Sequence, residues 1–159
     1  MSEFKSKTLR HMEAVRNYLN ACIKNILSRQ ENHDQCKLEN PEADIFEEYT
    51  PKLRECTYGS DNYKQFLKEM GTALEHHYAV STHHPEHYAE GVNDMNLLDL
   101  LEMLCDWKAS SLRHNDGNIL KSIDLNTKRF KMSKQLVSIL KNTSRWLEDQ
   151  KVNHKASES

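Results

Sequence analysis

A chain of 159 residues, 37% hydrophobic and 29% charged, is long enough to bury a core within one domain and too apolar for wholesale disorder. Its formal charge of −2 argues against a protein that coats nucleic acid, which would be basic, and no apolar run approaches the ~20 residues that span a bilayer. The charged opening MSEFKSKTLRHMEAV lacks an apolar signal segment, and the scattered cysteines Cys22, Cys36, Cys56 and Cys105 form no CxxC pair. They read as reduced thiols, so the expected location is cytoplasmic.

Scarce glycine and proline and little β-branched alternation leave few residues from which to build a sheet. Leu9, Met12, Val15, Leu19, Ile23, Ile26 and Leu27 recur at three- and four-residue steps, predicting a first helix over about 5–28 with this stripe buried. The polar run RQENHDQCKLENPEAD ends it. Pro41 opens a short segment through Phe46 and Tyr49, which Pro51 ends or restarts. Ser60 or Asp61 caps a helix running to about Val80, and Pro85 interrupts the turn after it. Asn96 caps the most apolar helix, LLDLLEMLCDWKASSLRH. Asn118 opens a short helix or turn to about Leu125, and Ser133 caps a last helix through Trp146. The expected fold is a single all-α domain of five to seven helices over residues 1–150, with 151–159 a frayed tail.

Four places in this frame carry chemistry. His11 lies on or beside the apolar stripe of the first helix. NHDQCK follows that helix, and its adjacent His33 and Asp34 offer an imidazole nitrogen and a carboxylate able to bridge two cations. EHHYAVSTHHPEHY places five of the nine histidines in one short stretch. His76 and His83, and His77 and His84, are seven apart, so either pair fits one face across two turns. Phe66, Met70 and Leu74 lead towards His77, which makes His77 the expected inward residue, with His76 and His83 as alternatives. Asp106 sits in an apolar helix, where a buried carboxylate needs a cation or hydrogen bonds.

In order these read H, HD, HH, HH, D, a pattern that resembles the HD superfamily of metal-dependent phosphohydrolases, all-α domains named for their His-Asp doublet. HDQCK and HHPEH resemble the HD-GYP phosphodiesterase branch more closely, but Cys36 replaces the glycine of HDxGK, there is no GYP, and Lys7 stands where some members carry an acidic ligand. About residues 8 to 142 also resemble an uncharacterised bacterial and phage family, in the HD…K, YGS, HHPEH and EMxxDWKA segments. HHPE alone is similar to pterin carbinolamine dehydratases, whose fold needs strands after the motif, where this chain has an apolar helix.

The HD resemblance implies at most two divalent ions, and a His and carboxylate set suits Mn, Fe, Co, Ni or Zn better than Mg. His11, His33, Asp34 and Asp106 are expected on one ion, and Asp34, His77 and His84 on the other. Asp34 would bridge the two, and Lys37 would neutralise charge on a phosphate oxygen. Arg113 and Arg129 are candidates for holding the remainder of a phosphorylated substrate, expected to be a small nucleotide or cyclic nucleotide. Homo-oligomerisation is left open.

Overall fold

The computed structural model describes residues 2–57, 59–112 and 117–150. Arg113 and the tail 151–159 therefore lie outside the described residues. Six α-helices account for the described architecture: α1 Glu3–Asn32, α2 Ala43–Glu55, α3 Asp61–Val80, α4 Leu97–Ser111, α5 Ile119–Arg129 and α6 Lys134–Asp149. Short 3-10 turns cover Gln35–Leu38, Pro85–His87 and Gly91–Asn93, and no strand occurs among the described residues. The chain is thus all-α. No described helix is long and apolar enough to cross a membrane.

Side-chain caps set the helix starts. The hydroxyls of Ser60 and Ser133 accept from the backbone of Tyr63 and Leu136, and the Asn118 amide oxygen accepts from Lys121. Asn96 opens α4 with a reciprocal capping box to Asp99. Two expected boundaries differ. The polar run after Ser28 continues α1 to Asn32, because residues such as Arg29, Gln30 and Glu31 are good helix formers. Pro51 lies inside α2, which runs on to Glu55. Gly71 breaks α3 with φ 44° and ψ −115°, a conformation open to glycine, and the kink re-aims the half-helix that carries His76 and His77.

α4, α5 and α6 enclose the main core, in which Met103, Leu104, Ile119, Ile123 and Leu140 are almost wholly buried. Trp107 stacks on Phe130 at the edge of this core (centroids 6.2 Å apart, planes 11° apart), so its ring is used in packing. α2 packs on α3, and α1 joins the body at its C-terminal end, where Arg29 reaches Asp99 and Glu102 of α4.

The apolar stripe of α1 is the main departure from expectation. No α1 residue is buried, and Leu9, Met12, Val15, Leu19, Ile23 and Leu27 are 42–58% exposed. Hydrophobic period dictates the helix and its face but does not say what the face meets.

Candidate metal centre

Three stretches converge at the junction of α1, α3 and α4. His33 caps the C-terminus of α1, and Asp34 follows in the left-handed region (φ 59°, ψ 13°). Few residues other than glycine, Asp and Asn adopt that conformation readily, and here the Asp34 carboxylate faces His33, His77 and His83. The last turn of α3 carries His77, and the short turn between Val80 and Pro85 carries His83 and His84. From α4, Glu102 and Asp106 project from one face, a single turn apart.

The Asp34 carboxylate is the hub. Its Oδ1 lies 3.5 Å from His77 Nε2 and 3.6 Å from His83 Nε2, and His84 Nε2 lies 2.9 Å from His77 Nε2. Donor atoms of Asp34, His77, His83 and His84 all fall within 4.8 Å of one another. Four ligand atoms bonded at 2.0–2.2 Å to a tetrahedral ion are roughly 3.3–3.6 Å apart, which matches the two Asp34 contacts. Asp34 Oδ1 and His83 Nε2 are buried and have no hydrogen-bond partner, a costly arrangement for two lone-pair acceptors unless a cation meets them. On the other side, Asp34 Oδ2 is 3.5 Å from His33 Nε2, which is 3.9 Å from Asp106 Oδ1, a second group able to hold an ion.

Behind the imidazoles stand two carboxylates. Glu102 Oε1 faces His33 Nδ1 at 2.9 Å and His83 Nδ1 at 3.2 Å, while its Oε2 accepts from Arg29 at 2.8 Å. Glu42, fully buried, faces His76 Nδ1 at 2.7 Å and His77 Nδ1 at 3.1 Å. A carboxylate only accepts, so each facing Nδ1 carries the proton and the Nε2 atoms of His33, His77 and His83 present lone pairs, that of His77 also meeting His84 Nε2. Cys36 Sγ, 3.2 Å from His77 Nδ1, closes the wall behind His77.

The charges follow from this packing. Burial, then His83 and His77, pushes His84 down to about 2. Burial, then the Lys37 ammonium, brings His77 to about 4. Both imidazoles are neutral at neutral pH, the form that binds a metal. Burial opposes ionisation of Asp34 and Glu102, yet both are lowered: Asp34 by Lys37, His33 and His77, Glu102 by hydrogen bonds from His33, His83 and Arg29. The Glu102 hydrogen bond raises His33 against burial.

Of the expected site residues, His33, Asp34, His77, His84 and Asp106 come together, with His83 of the alternative pair. His76 holds Glu42 and stands outside the four donors around Asp34 Oδ1. His11 is a correction. It is exposed on α1, about 30 Å along the helix axis from Asn32 at 1.5 Å per residue, and no helix bend brings it to Asp34. Lys37 Nζ pairs with Asp34 Oδ2 at 2.7 Å and lies 5.0 Å above the Phe46 ring. Arg129 is a second correction, since it pairs with Glu86 at 2.6 Å and lines a different cavity, beside Tyr63 and Leu125. The cleft of about 330 Å³ at the centre is bordered instead by Asn25, Arg29, Asn32 and Thr82, besides His33, Asp34 and His83. Glu42 was not visible in the sequence as a site residue, because an acid beside Pro41 in a polar run reads as surface.

The chain belongs to a family of unknown function, DUF5662, whose model matches residues 1–151. Among curated proteins and among solved structures, nothing matches it significantly.

Proposed function

We propose that this protein is a metal-dependent hydrolase of the HD type, cleaving a phosphoester bond of a small nucleotide or cyclic nucleotide with one or two ions held at Asp34. The division of the Asp34 carboxylate carries the reading: Oδ1 faces His77 and His83, and Oδ2 faces His33 beside Asp106. A carboxylate with imidazoles on both sides is suited to bridge two cations. His77, His83, His84 and Asp34 would hold the first ion, and His33, Asp34 and Asp106 the second. This nitrogen-rich set suits Mn, Fe, Co, Ni or Zn. Bound there, a divalent ion supplies Lewis acidity towards a phosphoryl oxygen and acidifies water near neutral pH.

The chain's own part is positioning and charge. Glu42 and Glu102 fix the imidazole tautomers. Lys37, beside Asp34 Oδ2, is placed to turn towards a phosphate oxygen as negative charge builds. Until it turns, its ammonium would compete with an ion beside His33 for Oδ2. The amides of Asn25 and Asn32 in the cleft wall offer donors and acceptors to the rest of the substrate.

One observation favours a second reading. Four protein donors around one point suit a closed structural site, whereas catalytic sites keep a position open. The competing function is a metal-stabilised helical module that sequesters a nucleotide or a host protein without turnover. Metal analysis of protein purified without chelator, with a phosphatase and phosphodiesterase panel in Mn, decides between them. Stoichiometric metal with turnover supports the hydrolase. Metal without turnover on mono-, tri- or cyclic nucleotides supports the binding module, and absence of metal overturns both.

A further inference from the structure

We propose that the exposed face of α1 is a self-association surface that pairs antiparallel with the same face of a second copy. Leu9, Met12, Arg16, Leu19, Ile23 and Ile26 follow one another at steps of three, four, three, four and three residues, the spacing of a coiled-coil seam, which is filled by another helix. The monomer does not bury it: Leu9 and Met12 are 52% exposed, Leu19 58% and Ile23 56%, and Val15 and Leu27 beside the seam are 42% and 51% exposed. These half-exposed aliphatic side chains and the Arg16 stem together supply on the order of 600 Å² per copy, the low end of the area a stable dimer uses. The opposite face of α1, with Arg10, Asn17 and Lys24, is polar and suited to stay in water.

Arg16 selects the orientation. In a parallel pair two Arg16 guanidinium groups would meet in the middle of an apolar seam. Run antiparallel, Leu9 of one copy packs on Ile26 of the other, Met12 on Ile23, and Arg16 on Leu19, past which its charged end reaches water. This register also sets the N-terminal end of each α1 beside Asn25 and Arg29 of the other copy, residues that border the metal-centre cleft. Each copy would then complete the rim of the other's site.

Sedimentation equilibrium of the full chain tests the proposal. The expected mass at tens of micromolar is twice the 18.6 kDa of the chain. Leu19→Glu with Ile23→Glu should weaken the dimer by at least about 100-fold, and Asn17→Glu on the polar face should leave it intact, with equal helical circular dichroism for all three proteins. In a Cys22→Ser background, Met12→Cys with Ile23→Cys should give a disulfide dimer on oxidation, while Met12→Cys alone should not. A wild-type monomer overturns the proposal, as does a dimer that survives the paired glutamates. A disulfide dimer through Met12→Cys alone overturns the antiparallel register. A monomer that instead binds anionic lipid vesicles assigns the stripe to a membrane surface and also overturns it.

Discussion

Glu102 Oε1 is shared by two imidazoles, His33 Nδ1 at 2.9 Å and His83 Nδ1 at 3.2 Å, whose Nε2 atoms face different oxygens of the Asp34 carboxylate. One carboxylate oxygen thereby sets the tautomer of a donor in each ligand group. Glu102→Gln keeps the shape but removes the charge and deprives Arg29 of one of its two carboxylate partners. Metal affinity should fall by roughly 10- to 100-fold at both groups, measured by competition with a chromophoric chelator. Unchanged affinity would mean that Glu102 serves only the Arg29 ion pair.

Asp34 and Asp106 should separate in stoichiometry. Asp34→Ala removes the carboxylate common to both groups and should abolish metal occupancy and activity together. Asp106→Ala touches only the group with His33, so it should lower two bound ions to one. His87 donates from Nδ1 to the Tyr78 carbonyl and belongs to no candidate ligand group, and His11 is remote, so His87→Ala and His11→Ala should keep full metal. Elemental analysis of the four variants reads this directly. Full metal in Asp34→Ala would sink the assignment.

Lys37 should act in opposite directions on binding and turnover. Lys37→Met removes the ammonium 2.7 Å from Asp34 Oδ2, so an ion beside His33 should bind more tightly. Loss of a charge placed to meet a developing phosphate oxygen should lower kcat by roughly 10²- to 10³-fold. Titration calorimetry with Mn beside steady-state kinetics tests the pair of effects. Parallel loss of both metal and rate would make Lys37 structural.

The helices were largely legible because their signals are local. Ser60, Asn96 and Ser133 announce starts, and three- and four-residue apolar steps announce faces. The His-Asp and His-His doublets likewise stood out by composition. What a face or an acid meets is not local. His11 shares the α1 face with apolar neighbours and looked inward, but the body of the protein reaches only the far end of that helix. Glu102 and Asp99 are the partners of Arg29, placed by the long-range docking of α1 on α4. Glu42 is fully buried only because α2 folds on α3 and sets it against His76 and His77.

The metal-free protein should lose stability as pH falls through the weakly acidic range. An unfolded histidine titrates near 6.5, whereas burial holds His77 at about 4 and His84 at about 2 in the folded chain. Below about pH 6.5 the unfolded chain therefore takes up protons that the fold refuses. Each of these groups shifts the folding equilibrium towards the unfolded state by about tenfold per pH unit, His77 down to about pH 4 and His84 further. His33, raised by its hydrogen bond to Glu102, acts in the other sense: its contribution is fully present below 6.5 and lost as pH rises through its folded value. Asp34 and Glu102 are lowered, so they add stability above the ordinary carboxylate range that is lost only in stronger acid. Between pH 6.5 and 5 the His33 contribution is already at its full value, so the two depressed histidines act unopposed and stability declines. Urea midpoints of chelator-treated protein at pH 6.5, 6 and 5 should fall in that order. His84→Gln, which cannot titrate, should flatten the fall, and a wild-type midpoint that rose from pH 6.5 towards pH 5 would show that the fold does not hold His77 and His84 neutral.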